Sequence, residues 1–358
     1  RRPVRGPASR AVAVPRTIGA LCWRTTDDGV ALFGADYRGG VHLLERIVTR
    51  PYPTDVTAAT RADPAERARL ERPGEVVFAD GFDDETSFAE WFEIQGRDDV
   101  RVASDRDSKV TGAGSLRLTA TANDGRARGA GPVLWLSDIG FEVLHLRYRM
   151  RYAPDYDQGN LHHTGGSLAG VAGANKWGGM GTAGKRPAVD RHFPTRVECW
   201  RDCGRRPPPG ALHCYTYWMD MRRDRDGNFW GNMLAPADAD RVVPMRGHWQ
   251  QVELRVACNT FDGEAPNADG ELAVWLDGAL YQHWRGLRWR RSPDVRLKRV
   301  GLLCYVHEAR CDNTVWFDDV VVSTGYVGTG GSDAASPGGG ADVMAGGWRP
   351  SPRRSARA

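Results

Sequence analysis

Three stretches toward the C-terminal end constrain the fold most: residues 251–258 (QVELRVAC), 271–284 (ELAVWLDGALYQHW) and 315–323 (VWFDDVVVS). Each alternates apolar with polar residues, the pattern of a strand that buries one face. Between the halves of the middle stretch lies Asp277-Gly278, a two-residue hairpin turn that needs positive φ twice. Consecutive half-buried strands joined by tight turns predict a β-sandwich of two antiparallel sheets.

The 358 residues leave room for two domains, but a single sandwich reaches roughly 200–250 residues. One large sandwich with flanking segments is therefore expected. No apolar run approaches the ~18 residues of a spanning helix, so no membrane span is expected. All but four of the 49 Lys and Arg residues are arginine, against a net charge of only +4. Base composition of the gene accounts for that bias, although arginine's planar fork also grips carboxylates. No block of like charge and no nucleic-acid motif is present, which argues against DNA or RNA as partner. Of the seven cysteines, Cys203 and Cys214 bracket one loop and Cys304 and Cys311 another. Both spacings suit disulfides across neighbouring strands, and no C-x-x-C pair suggests zinc. An extracytoplasmic setting, secreted or periplasmic, is expected. The chain opens Arg-Arg-Pro, and its apolar stretch at 17–23 is too short for a signal peptide. A leader already removed, or a fragment, is expected.

Residues 1–75 read as an irregular N-terminal extension. Within it, Asp63-Pro64-Ala65-Glu66 starts a short helix: an N-cap aspartate, proline in the first turn and an acid at the positive end. The sandwich is expected over 76–326. Its long strand at 143–152 puts Leu144, Leu146, Tyr148 and Met150 on one face. His145, Arg147, Arg149 and Arg151 lie on the other. Arg147 and Arg149 thus belong either to an exposed outer face or to the floor of an anion-binding groove. Residues 159–184 are dense in glycine, which suits tight rim loops or close approach of backbone to ligand. They contain no phosphate-cradling pattern. Residues 327–358, rich in Gly, Ser and Pro, read as a disordered tail.

The segments GGSLAGVAG (165–173), RVECWR (196–201), YTYW (215–218) and WQQVELRVACNT through FDDVVVS resemble the alginate-lyase-like polysaccharide lyases of family 14. Those proteins are concanavalin-like jelly rolls, so the resemblance implies that all-β fold. It also implies an acidic, uronate-containing polysaccharide as partner, cleaved by β-elimination without an obligatory cofactor by a protein expected to be a monomer. The family has a K-L-P-G-L strand, and here its lysine position is Ser167.

Such elimination needs three things: a base for the proton α to the carboxylate, an acid for the leaving oxygen, and neutralisation of that carboxylate. By resemblance, Tyr215 or Tyr217 would be acid or base. As strand residues two apart they share a face, though they would also suit a core or a sugar-stacking platform. His162 and His163 precede the glycine strand and face opposite ways, so at most one enters a groove. Arg196 and Arg201 are the candidates for the carboxylate clamp. Trp177, Trp218 and Lys176 are further candidates for substrate contact. Asp83 and Asp319, near the first and last strands, are candidates for a structural calcium.

Two other readings stand beside the lyase. Serine at 167 cannot neutralise a carboxylate, which favours a non-catalytic carbohydrate-binding or adhesion module of the same fold. A hydrolase would need two carboxylates across the bond, and Glu198 and Asp220 are the acids nearest the tyrosine strand.

Overall fold

The computed structural model describes residues 53–159, 162–224, 226–236 and 241–330 in full. Outside these it describes the backbone of strands at Val4–Arg5, Ala8–Ser9, Ile18–Thr26, Gly29–Asp36, Val41–Ile47 and Trp348–Pro350. The expected tail lies mostly outside the described residues. The chain divides into two compact units, Arg1–Thr54 and Asp55–Ala358. The first contains an antiparallel three-stranded meander, with Trp23 opposite Leu32 and Leu32 opposite Glu45.

The second unit starts at Asp55, ahead of residue 76 where the sequence placed the sandwich boundary. Two short helices, α1 (Thr57–Ala62) and α2 (Pro64–Leu70), belong to it. As the sequence predicts, the Asp63 side chain accepts from the backbone N–H groups of Ala65 and Glu66, and Pro64 sits in the first turn of α2.

In chain order the main strands are β1 (Val76–Asp80), β2 (Glu93–Gln95), β3 (Val100–Ala103), β4 (Ser115–Ala120) and β5 (Arg128–Trp135). There follow β6 (Val143–Tyr152), β7 (Gly165–Val171), β8 (His192–Trp200), β9 (Ala211–Thr216) and β10 (Asn232–Leu234). The last are β11 (Trp249–Ala257), β12 (Gly270–Leu276), β13 (Ala279–Leu287), β14 (Arg296–Val306) and β15 (Asn313–Ser323). One antiparallel sheet runs β13–β12–β11–β6–β15–β4–β3, with β1 also paired to β15. The second runs β10–β9–β8–β7–β14–β5–β2.

The three opening stretches become β11, the β12–β13 hairpin and β15. Asp277 (φ 47°) and Gly278 (φ 79°) make the turn between β12 and β13, with Leu276 opposite Ala279. Between the sheets, Leu144, Leu146, Tyr148 and Met150 of β6 are buried against Leu168, Val197, Leu212 and Leu302 of the second sheet. Polar links cross the same interface. The Gly166 N–H donates to Tyr148 Oη (3.0 Å), Tyr281 Oη donates to the Leu212 carbonyl (3.1 Å), and Gln282 Nε2 donates to Cys214 Sγ (3.0 Å). Burial of such side chains contributes roughly 1.5–3 kcal/mol each, and the cross-sheet polar groups fix how the sheets face each other.

The expected disulfides do not form. Cys199, Cys203, Cys214, Cys258, Cys304 and Cys311 are all unbridged. Cys214 and Cys304 point into the dry interface, whereas their loop partners Cys203 and Cys311 are exposed. The side chains of each pair thus lie in different environments.

Candidate active site

A sandwich has two outer faces, and here the first sheet's is occupied. Thr60 Oγ1 of α1 is 2.8 Å from His283 Nδ1, and Leu70 of α2 packs on Ala273, Trp275 and Leu280. Glu66 and Glu271 join Arg69, Arg255 and Arg285 in an ionic cluster that ties α2 to β11, β12 and β13. Farther along, the segment after β15 crosses the sheet, where the N–H groups of Val327 and Gly328 donate to the Glu253 carboxylate. The second sheet provides the other outer face.

Alternation places the outward residues of that sheet. On β9, Leu212 and Cys214 point inward, so His213 and Tyr215 point outward, and Tyr217 continues that face one step past the strand. Cross-strand register sets Tyr215 opposite Arg196 and His213 opposite Glu198 of β8. Arg196 lies opposite Ser167 of β7, and Ser167 opposite Gly301 of β14. Tyr305 and His307 follow on the outward side of β14. His163 is held beside them because its backbone N–H donates to the Tyr305 carbonyl (2.8 Å).

These side chains meet. His163 Nδ1 lies 2.9 Å from Glu198 Oε2, and His213 Nε2 lies 3.5 Å from Glu198 Oε1. The His163 ring is 5.0 Å from that of Tyr215, 5.9 Å from Tyr305 with the planes nearly parallel, and 5.1 Å from His307. Tyr215 Oη and Tyr217 Oη are 3.3 Å apart. Arg196 Nη1 donates to the Gly165 carbonyl (3.0 Å), which holds its guanidinium beside Ser167. The floor there is small: a Cβ added to Gly301 would come 3.0 Å from Ser167 Oγ.

The electrostatics assign states to these groups. Burial works to raise the Glu198 pKa, but His163 and His213 outweigh it and hold the carboxyl well below the usual carboxylate range. With Glu198 ionised, its carboxylate can accept only from His163 Nδ1–H, which leaves Nε2 outside that contact. Burial pushes both tyrosine hydroxyls above their ordinary pKa, and the Tyr217 contact adds to the effect at Tyr215. Both therefore stay protonated at neutral pH. Burial also pulls the Arg196 pKa down, with the Glu198 charge opposing; arginine's high intrinsic value keeps it a cation.

The structure thus brings together His163, Arg196, Tyr215 and Tyr217, and places the other sequence candidates elsewhere. His162 faces the opposite way, buried between the sheets. Its Nδ1 is 2.8 Å from Tyr156 Oη and its Nε2 2.6 Å from the Cys199 carbonyl, and burial lowers its pKa to about 4. Arg201 lies in the loop after β8, with Nη1 2.8 Å from Asp157 Oδ1. Arg147 and Arg149 lie on the other sheet and pair with Asp319. Trp218 is only 1% exposed and donates to Asn232 Oδ1 (2.9 Å), so it has no face to offer a sugar. Lys176 lies over the Phe92 ring at 4.7 Å. Trp177 packs on the same ring and remains 46% exposed.

The acids part company as well. Asp83 accepts from the Ala113 N–H, while Asp319 is buried against two arginines. Asp220 is gripped by Arg288 through both oxygens, and an ionised Glu198 has no proton to give a leaving group. The hydrolase pair therefore lacks an acid. Sequence reasoning missed His213, Tyr305 and His307, and saw Glu198 only as that acid. The available signal was the alternation H-C-Y-T-Y at 213–217 and Y-V-H at 305–307, which becomes informative only once register aligns it with residue 163.

No family model matches the chain, and no curated protein does. Among solved structures, the chain is similar to the family 14 alginate lyase from Aplysia kurodai. That match has 18% identity and a TM-score of 0.50, and covers 69% of this chain and 98% of that one. An alginate lyase from a Chlorella virus matches at 16% identity over 70% of this chain and 99% of that one (TM-score 0.47). An endo-β-1,4-glucuronan lyase from the fungus Trichoderma reesei matches at 15% over 70% and 95% (TM-score 0.44). The likeness to the Aplysia structure shows an alginate-lyase-like jelly-roll fold.

Proposed function

We propose that the second unit is a polysaccharide lyase that cleaves a 4-linked, uronate-containing glycan by β-elimination. The observation that carries this reading is the convergence of His163, Arg196, Tyr215 and Tyr217 on the outer face of the second sheet. The lyase activity of a protein with the same fold supports it.

The state of each group divides the work. His163 Nε2 takes the proton from C5, α to the carboxylate. The electrons of that C–H bond form the C4=C5 double bond as the C4–O4 bond breaks. The departing O4 takes a proton from the tyrosine pair. Two hydroxyls that share one hydrogen bond commit one proton to each other, so the second remains for O4. Arg196 faces the substrate carboxylate and offsets the negative charge that grows on it. A polymer substrate also accords with a setting outside the cytoplasm. The exposed Trp177 and Trp230, each with nearly half its surface open, offer apolar faces for sugars beyond the cleavage point.

The test is ultraviolet absorbance of the unsaturated uronate during incubation with mannuronate, guluronate, glucuronate and galacturonate polymers. The wild-type chain should produce a rise on at least one polymer, and His163→Ala should abolish it. One feature favours a second reading. Ser167 occupies the floor position that the family resemblance gives to a lysine, which suits a module that binds without turnover. Polymer binding with no absorbance rise on any member of the panel would establish that reading instead.

A further inference from the structure

The least expected group on the outward face is the Glu198 carboxylate. It is 3% exposed, and burying an ionised carboxylate costs several kcal/mol unless partners compensate. Its compensation comes from two histidines on different segments: His163 ahead of β7 at 2.9 Å and His213 on β9 at 3.5 Å. Neither contact is needed to join the strands. The backbone ladder pairs Glu198 with His213, and His163 is already tied to Tyr305 through its own N–H. An apolar residue at 198 would join β8 to its neighbours as well. What the carboxylate adds is directional. It accepts a hydrogen bond from His163 Nδ1–H and so leaves Nε2 unprotonated and outside that contact.

We propose that Glu198 is a positioning residue that fixes the His163 tautomer. This rests on the reading of His163 as the base of an elimination. The charged and titratable groups around the imidazole are the neighbouring His162, Glu198 from β8, His213 and Tyr215 from β9, and Tyr305 and His307 from the β14 end. Of these, Glu198 carries the negative charge that favours imidazolium. His307, its own pKa lowered by burial, stays neutral and does not compete for the carboxylate.

Two measurements on the full chain test the proposal. Nitrogen-15 NMR of the histidines, with His163→Gln used for assignment, should show the neutral His163 ring protonated at Nδ1 in the wild type. In Glu198→Gln the Nε2–H form should gain population, while Glu198→Asp, which keeps the charge, should retain more of the Nδ1–H form. In kinetics, Glu198→Gln should lower kcat by about 100-fold, within the range of general-base contributions, with KM little changed. A wild-type ring protonated at Nε2 overturns the proposal without any variant, and so does a Glu198→Gln chain with unchanged tautomer and kcat. If the wild type shows no elimination on any polymer, the lyase reading fails, while the NMR measurement still decides whether Glu198 sets the ring.

Discussion

At the scale of single residues, the site depends on which groups hold a proton. Tyr215 and Tyr217 were legible as a same-face pair from their spacing alone. That they stay protonated was not, because burial by the neighbouring strands is a tertiary effect. Their hydroxyls share one hydrogen bond, so they act as a unit and their losses should not add. Tyr215→Phe and Tyr217→Phe should each reduce kcat by about 10²-fold, and the double variant should fall little further, as initial rates on the preferred polymer would show. Trp218 shows the opposite limit of sequence reasoning. An aromatic beside a catalytic candidate reads as a sugar platform, yet its alternation phase turns it into the core, where it is 1% exposed. A half-turn of strand phase decides between binding and packing, and only the fold reveals it.

At the scale of elements, alternation served best where one face is apolar and the other polar. It placed β6, β11, β12, β13 and β15, and the Asp277-Gly278 turn fixed a register. Gly278 is at φ 79°, and a Cβ there would come within 2.5 Å of Thr329 Cγ2. Gly278→Ala should therefore cost at least about 1 kcal/mol, seen as a lower urea midpoint. Because the β12–β13 hairpin belongs to the first sheet, kcat should be unchanged. Alternation misled where a polar face is covered. The arginine face of β6 reads as solvent or groove, yet Arg147 is fully buried against Asp319, beneath chain that returns from beyond β15. Such cover comes from distant sequence and leaves no trace in the strand itself. The cysteine loops failed for a related reason, since close spacing along the chain does not put two side chains on one side of a sheet.

At the scale of the whole second unit, α1 and α2 cover one outer face, and the candidate site lies on the other. Their seat contains a buried histidine, His283, whose pKa burial lowers to about 4 from about 6.5 in the unfolded chain. His162 in the core is lowered similarly. A folded-state value below the unfolded one means that the unfolded chain binds more protons between these limits. Their stabilising effect is therefore complete above about pH 6.5 and is lost as pH falls toward about 4. Urea midpoints should drop across that window, and His283→Gln, which removes one titration, should flatten the slope. An unchanged slope would mean that His283 is already charged in the folded chain.

The central claim is that one face of the second sheet breaks uronate chains with His163 as base, and the absorbance assay on purified protein tests it most directly. The wild-type chain should give a steady rise from unsaturated uronate on at least one polymer, and a folded His163→Ala variant should give none. An undiminished rate in that variant, or no rise with the wild type on any of the four polymers, would contradict it.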